Sequence, residues 1–384
     1  MNKEWLHLAI KRALHAVLHV YWVFPVRKNR IALINEQGFT YNDSLKYINE
    51  YLREKCPGKY EVIYPVKAGT ETAPDAVAVK PMSVKYFYYV LTSRVIFTNC
   101  GGVSYLPKRR KQKIINTWHG GGAYKKVGID VWDTKYSRAE DKMNASNTDI
   151  LFASCGAFTK YEAPAMMFDP KQCIPAGLPR NDIFFKERPE IREKVYRTLG
   201  LKEDEKLVLY APTYRSDTSS FANSKEARLI DVDYEKVTET LSRTLGGSWK
   251  FGIRLHPRIG VKEFPGMDVV NCTRYPDMQE LLYACSAVIT DYSSLMWDFS
   301  LTMRPCFIYA PDIDQYEAER GFYVPTSQWP FPIARSNEEL VRQMETFSDE
   351  EYRERVKKHH AALDSYDTGK ACETAVSLIE SKQA

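Results

Sequence analysis

Apolar residues recur along this chain in short runs separated by stretches of helical spacing. Runs at residues 30–35, 60–66, 76–79, 94–98, 113–117, 150–154 and 173–176 are bounded by polar or turn-forming residues and read as strands. Between them, the apolar positions near 42–55, 82–92, 137–147 and 156–168 follow a helical period. Short strands alternating with helices predict a parallel sheet with helices on its faces. Residues 186–200 are charged and read as a linker followed by a helix. A second series then begins, with strands at 206–210, 251–255, 268–271, 287–290 and 305–309 and helices near 233–245, 277–285 and 294–302. Residues 336–384 are charged and mostly helical in pattern. A chain of 384 residues suffices for two domains of ordinary size, and the two series predict two α/β units with no internal repeat and no low-complexity tract.

Residues 3–24 carry a different pattern. His7, Lys11, His15 and His19 recur at every fourth position, a narrow polar stripe on a helix. Trp5, Leu6, Leu8, Ile10, Leu14, Val17, Leu18, Val20, Tyr21, Trp22 and Phe24 cover the rest, and Pro25 stops it. The stretch 13–26 lacks Asp, Glu, Lys and Arg but is shorter than the roughly 20 residues that cross a bilayer, and no small-residue cleavage site follows it. With Arg27 and Lys28 at its flank, the segment predicts an interfacial helix whose face of Trp5, Leu14, Leu18 and Trp22 enters a membrane surface. A helix packed on the core of the first domain is the alternative.

The polar residues able to carry chemistry sit where predicted strands end. Tyr292, Ser293 and Ser294 lie between the strand ending at Asp291 and the helical run Leu295-Met296-Trp297-Asp298-Phe299. A strand that turns into a helix there presents free backbone N–H groups and a positive dipole end, which suit phosphate; a plain Ser cap is the other reading. Three further clusters end strands: Asn116-Thr117-Trp118-His119-Gly120-Gly121-Gly122, Tyr210-Ala211-Pro212-Thr213-Tyr214-Arg215 and Arg254-Leu255-His256-Pro257. Open α/β sheets bind ligands beyond the carboxyl ends of their strands, so four such clusters suggest one composite site.

Together with Gly177-Leu178-Pro179-Arg180-Asn181-Asp182 and Glu319-Arg320-Gly321-Phe322-Tyr323, these segments resemble the CDP-glycerol glycerophosphotransferase family of teichoic-acid and capsule synthesis. The likeness runs in order over roughly residues 90–330 and includes the family's G-x-P-R-N-D, I-T-D-Y-S-S and E-R-G-F-Y stretches. Where the family usually reads W-H-G-T-P, this chain reads Trp118-His119-Gly120-Gly121-Gly122. The resemblance implies a GT-B-like α/β fold with two Rossmann-like domains facing a cleft. Its parts would be an amphipathic membrane-associating helix (1–28), an acceptor domain (29–185), a donor domain for the CDP-polyol (186–365) and a C-terminal helix (366–384) able to cross back. The implied reaction moves glycerol phosphate or ribitol phosphate from CDP-glycerol or CDP-ribitol to a hydroxyl of a lipid-linked saccharide or polyol-phosphate acceptor. CMP is released, at the cytoplasmic face of the bacterial cell membrane. Neither a metal nor a cofactor is expected.

Such chemistry needs a base, positive groups for the phosphate oxygens and a rigid geometry. His119, with an ordinary pKa of about 6.5 and a Gly-rich loop after it, is the candidate base. A structural His bonded to a nearby carbonyl is the other reading. His256 is the second catalytic candidate, placed to hydrogen-bond the pyrophosphate as charge builds on the departing CMP. Ser293, Ser294, Asp291, Thr213, Arg215, Arg254 and Arg320 are candidate donor-binding residues, the arginines because a guanidinium meets two oxygens at once. Each arginine could equally be a surface ion pair, and Arg254, alternating with Leu255, would point away from the face of His256. Asp291 would either order its turn or meet donor hydroxyls, and Asn181 and Asp182 could simply cap the following helix. Gly120, Gly121 and Lys125 would face the acceptor; no G-K-[ST] follows, so the loop is no P-loop.

Composition narrows the partners. The chain is 44% hydrophobic and 27% charged, which is globular, and its 25 Tyr suit sugar or interface contacts as well as a large core. The formal charge of +5 gives no argument for nucleic acid. Basic residues cluster at Lys108, Arg109, Arg110, Lys111 and Lys113, at Lys125 and Lys126, and at Arg27, Lys28 and Arg30, either as solvated faces or to attract anionic lipid or a phosphate polymer. Eight Cys without a C-x-x-C pair read as small buried hydrophobes in a reducing compartment, and a zinc site is disfavoured. A GT-B glycosyltransferase or epimerase using a nucleotide-sugar, and a membrane-associated scaffold, are the competing functions. The Asp291-Tyr292-Ser293-Ser294 wording and the two strand-end histidines favour the phosphotransferase.

Overall fold

The computed structural model describes residues 3–213, 231–256 and 262–381. The chain separates into two compact units, Met1–Phe185 with Leu363–Ala384, and Lys186–Ala362. The first is built on β1 (Arg27–Ile34), β2 (Glu61–Pro65), β3 (Val77–Val79), β4 (Ser93–Thr98), β5 (Lys113–Asn116), β6 (Ile150–Ala153) and β7 (Cys173–Pro175). These seven strands are parallel in the order β3-β2-β1-β4-β5-β6-β7. Successive side chains go to opposite faces: Ile31, Leu33, Tyr64, Phe97 and Ile115 pack with helices Asp43–Lys55 and Ala371–Glu380, while Ala32, Ile34, Ile63, Ile96 and Ile114 pack with helix Val84–Thr92 and Leu18. Both faces are buried, which is why these strands are legible as unbroken apolar runs.

The second unit holds β8 (Glu205–Tyr210), β9 (Ser248–Ile253), β10 (Val269–Asn271), β11 (Ala287–Thr290), β12 (Cys306–Tyr309) and β13 (Ile333–Ala334), again parallel, in the order β10-β9-β8-β11-β12-β13. Each sheet therefore reverses its winding once, between β1 and β4 and between β8 and β11. Loops leaving the two central strands at such a reversal part to opposite faces and open a crevice.

The structure departs from the pattern in three elements. Residues 156–168 form a π-turn, Phe158–Glu162, and a short α-turn, Ala163–Ala165, because Pro164 removes a backbone donor and Cys155 Sγ accepts the Phe158 amide. Helix Ile313–Glu319 and the two-residue β13, which follows Pro330 and Pro332, are too short to show a period. Asp182 does cap a helix, but not the next one. Its carboxylate accepts the amides of Ala371 and Cys372 at 3.0 and 2.8 Å, at the start of helix Ala371–Glu380. Asp367 Oδ1 in turn accepts from Leu178 N and Asn181 Nδ2. Gly177 lies beneath, at φ +71°, where a Cβ would come within 2.9 Å of Asp367 Cα.

The N-terminal helix, Lys3–Leu18, continues as a 3₁₀ turn, His19–Val23. Its orientation splits the expected membrane face: Trp5 and Trp22 are exposed, while Leu14 and Leu18 turn toward the protein. Leu8 and Leu18 are buried and Leu14 packs on the core, whereas Leu6, Ile10, Val17, Val20 and Val23 are exposed. The middle of the polar stripe faces the protein: Lys11 pairs with Glu140 and His15 is half-buried, while His7 and His19 at its ends are exposed, His7 Nδ1 lying 3.5 Å from the Tyr136 hydroxyl. Trp22 is anchored through its indole N–H to Pro107 O at 3.1 Å. The basic run at 108–113 is likewise largely engaged inside the unit. Lys108 pairs with Asp149 at 2.6 Å, Arg109 donates to the carbonyls of Tyr21, Phe24 and Leu91, and Lys113 donates to Leu378 O and Ser381 Oγ.

Because Asp182 holds two otherwise open helix amides, Asp182→Ala is expected to destabilise the first unit by about 1–2 kcal/mol. The urea midpoint of a probe in that unit should fall; an unchanged midpoint would remove the capping role.

Candidate functional site

In the first unit, Thr98 of β4 stands in register with Ile34 of β1 and Asn116 of β5, so Asn35, Asn99 and Thr117-Trp118-His119 leave the sheet at one end. The buried side chain of Asn99 laces this end together. Its Nδ2 donates to Asn35 Oδ1 and Asp43 Oδ2, both at 3.0 Å, and its Oδ1 accepts from Glu36 N. Its main-chain carbonyl lies 2.7 Å from His119 Nδ1. A carbonyl only accepts, so Nδ1 carries the proton and Nε2 of the neutral ring keeps its lone pair. The carbonyl-bonded histidine and the candidate base are thus one and the same arrangement.

Arg180 Nη1 donates to His119 O at 2.8 Å and stands 3.5 Å from the Asp43 carboxylate. Trp118, at φ +56°, donates its amide to Asn116 Oδ1 and lays its ring 4.3 Å from the imidazole. Burial holds the His119 pKa below its ordinary value, with Arg180 and Lys125 acting in the same direction and Asn99 O and Asp43 opposing. Lys125 is therefore near enough to sense the ring's charge. The loop between them turns at Gly122, whose φ is +84° and whose N–H reaches Ser154 Oγ at 3.3 Å. Proline is confined to φ near −65°, so this backbone path is closed to the W-H-G-T-P sequence.

In the second unit, Tyr210 pairs with both Ile253 and Ile289, so residues 211–213, 254–256 and 291–294 also leave one end together. Asp291 is 3% exposed and accepts from Thr213 N at 3.0 Å and Thr213 Oγ1 at 2.9 Å. These bonds order the turn across the β8/β11 reversal, the first of its two expected roles. Tyr292 donates its hydroxyl to Asp312 Oδ1 at 2.7 Å, stacks on Tyr316 at 3.9 Å and meets Phe322 at 5.8 Å. These contacts seat the segment containing Arg320, which closes helix Ile313–Glu319, behind the turn. Ser293 Oγ accepts the Leu295 amide, whereas Ser294 makes no side-chain cap bond. The helix it begins, Leu295–Ser300, has only six residues, so local N–H groups and hydroxyls outweigh any macrodipole there.

Arg254, expected on the donor, holds main-chain carbonyls in this structure. Its Nη1 donates to the carbonyls of Cys272 and Tyr275 at 3.1 and 2.5 Å, and desolvation lowers its pKa. It fastens β9 to the loop after β10. His256 is half-buried at the end of this segment; the residues after it and Arg215 lie outside the described residues. Asn35, Asp43, Asn99 and Arg180 had no assigned role in the sequence. The two asparagines follow β1 and β4 directly, at the same strand-end position that singled out His119, but Asn is so common in turns that its identity there carried no weight.

A family profile described as "CDP-Glycerol:Poly(glycerophosphate) glycerophosphotransferase" matches residues 16–381. The teichoic acid poly(glycerol phosphate) polymerase of Staphylococcus epidermidis is 28% identical over 373 residues, covering 92% of this chain and 51% of that protein. The teichoic acid glycerol-phosphate transferase of Staphylococcus aureus is 27% identical over 356 residues, 89% of each. A structure of the wall teichoic acid polymerase TagF matches with a TM-score of 0.83 and 26% identity, over 97% of this chain and 94% of that one. The chain spans about half the length of the polymerase it matches and most of the transferase. Since one family profile runs through both units, from residue 16 to residue 381, the chain belongs to the CDP-glycerol:poly(glycerophosphate) glycerophosphotransferase family.

Proposed function

We propose that this chain transfers glycerol phosphate or ribitol phosphate from a CDP-alditol to a hydroxyl of a lipid-linked saccharide or polyol-phosphate acceptor, in teichoic-acid or capsule synthesis. The observation that carries the reading is His119: its Nδ1 is held by Asn99 O, its ring is kept neutral by burial, and Nε2 remains to accept a proton. The acceptor hydroxyl gives its proton to Nε2 as its oxygen forms a bond to the β-phosphorus of the donor. The bond from that phosphorus to the bridging oxygen breaks, and its electron pair leaves on CMP. His256 hydrogen-bonds the pyrophosphate as that charge builds. In this GT-B reading the first unit binds the acceptor, with Gly120, Gly121 and Lys125 beside His119. The second unit binds the donor, with Thr213, Ser293 and Ser294 on its phosphates and Arg320 and Arg215 neutralising them. Asp291 positions Thr213, and Arg180, Asn99 and Asp43 position His119.

The same reading places the chain on the cytoplasmic membrane surface. It is supported by the outward apolar face of the first helix, Leu6, Ile10, Val17, Val20 and Val23, an inversion of the usual apolar-inward pattern. No helix among the described residues is long and apolar enough to cross a membrane, which suits a helix lying in the interface.

His119→Ala and His256→Ala should each lower turnover at least about 100-fold in a protein whose circular dichroism is unchanged. A base works deprotonated, and burial lowers the His119 pKa, so kcat/KM should hold level as pH falls to about 6.5 and decline only below it. A folded His119→Ala enzyme of near-normal turnover would remove the base assignment.

Ser294→Ala should weaken CDP-glycerol binding in calorimetry more than it slows the bound complex, because a hydroxyl on a non-reacting oxygen binds ground and transition states alike. Equal affinities would reduce Ser294 to a turn residue.

For the surface placement, Val20→Glu with Val23→Glu should release the chain from phosphatidylglycerol vesicles without moving its melting temperature, since these side chains are 63% and 76% exposed. Unchanged co-sedimentation would count against it.

A further inference from the structure

A cavity of about 300 Å³ lies in the first unit beneath the N-terminal helix. Arg12 and His15 line it from helix Lys3–Leu18, Ser104 from the 3₁₀ turn Gly102–Tyr105, and Met143, Ser146 and Asn147 from helix Lys135–Asn147. That is the scale of a small-ligand site, far above the roughly 30 Å³ share of one water. Five of the six lining side chains are polar, where a helix packing on a helix would ordinarily fill the space with apolar groups.

Two of those side chains brace the wall. Asn147 Nδ2 donates to the carbonyls of Val103 and Leu106, and Ser146 Oγ to Met143 O. Others are left open. Ser104 is 3% exposed, yet its hydroxyl has no protein partner among the described residues, and the same holds for His15 Nδ1 across the cavity. Buried polar atoms are nearly always partnered, so two open ones lining one cavity point to a ligand. The charge points to its sign. Arg12 makes no ion pair among the described residues; of the two acidic groups on helix Lys135–Asn147, Glu140 is matched by Lys11, and burial with the neighbouring Glu140 charge pushes the Asp141 pKa up to about 6. A guanidinium, a hydroxyl and an imidazole converging on one space suit phosphate oxygens.

We infer that this cavity binds an anionic phosphate ester, carried on a glycerophospholipid or free in solution, through Arg12, His15 and Ser104. None of its lining residues belongs to the His119 network. The lipid source rests on the surface placement proposed above, because a headgroup here would sit under the helix whose outer face meets the acyl region; the phosphate chemistry does not need that placement.

The test is calorimetry of the full chain with monomeric dihexanoyl phosphatidylglycerol and, separately, sn-glycerol 3-phosphate. Saturable binding should weaken about tenfold in Arg12→Gln and several-fold in Ser104→Ala, and stay unchanged in His119→Ala. Arg12 is exposed and Ser104 loses only an unpartnered hydroxyl, so matching melting temperatures are expected. Tighter binding of the lipid assigns the lipid source, and equal affinities assign the phosphate group alone. Because the lipid is monomeric, failure of vesicle binding would leave this result standing. No saturable binding of either probe, or binding lost in His119→Ala and retained in Arg12→Gln, overturns the site.

Discussion

The buried amide of Asn99 is the interaction on which the first unit's polar end depends. It stands where the winding of the sheet reverses, and its side chain joins the loops after β1 and β4 through Asn35, Glu36 and Asp43. Its carbonyl then fixes the tautomer of His119. Backbone polarity at the end of a parallel sheet must be satisfied somewhere, and here the satisfaction doubles as orientation of the His119 ring. The second unit meets the same demand with a carboxylate, Asp291, gripping Thr213 across the equivalent reversal. One topology thus gives two crevices, each held by a buried polar residue.

The first helix shows how packing and patterning can oppose each other. The middle of its narrow polar stripe turns inward, Lys11 pairing with Glu140 of helix Lys135–Asn147 and His15 half-buried, and Leu8, Leu14 and Leu18 flank them toward the core. The wider apolar arc is left outside. A soluble helix reverses this order, so the exposed arc calls for an apolar surface to cover it, and the polar cavity on the opposite side is a consequence of the same inversion. The loop after His119 is a second local departure. Gly122 at φ +84° takes a course that a proline cannot, so this loop is shaped differently from one that reads W-H-G-T-P.

How much of this was legible in the sequence depends on what each signal encodes. The strands were, because a parallel sheet buried on both faces demands runs such as Val95-Ile96-Phe97 that no helix or loop needs. The strand-end positions of His119, Asp291, Ser293 and Ser294 were legible too, since a polar residue directly after such a run has few other places to be. By itself the sequence determined two parallel α/β units and a short set of polar residues at the carboxyl ends of their strands. Only the tertiary structure decided what each charged or amphipathic residue faces. A period says that Leu14 and Leu18 share a side of a helix, but not that the side is inward. Lys108, Arg109 and Lys113 read as a basic patch until their partners, some of them hundreds of residues away, are in place. Arg254 braces the loop after β10 through two carbonyls, and Asp182 caps a helix 189 residues along the chain. Such pairings depend on contacts between distant segments, and local composition carries no record of them.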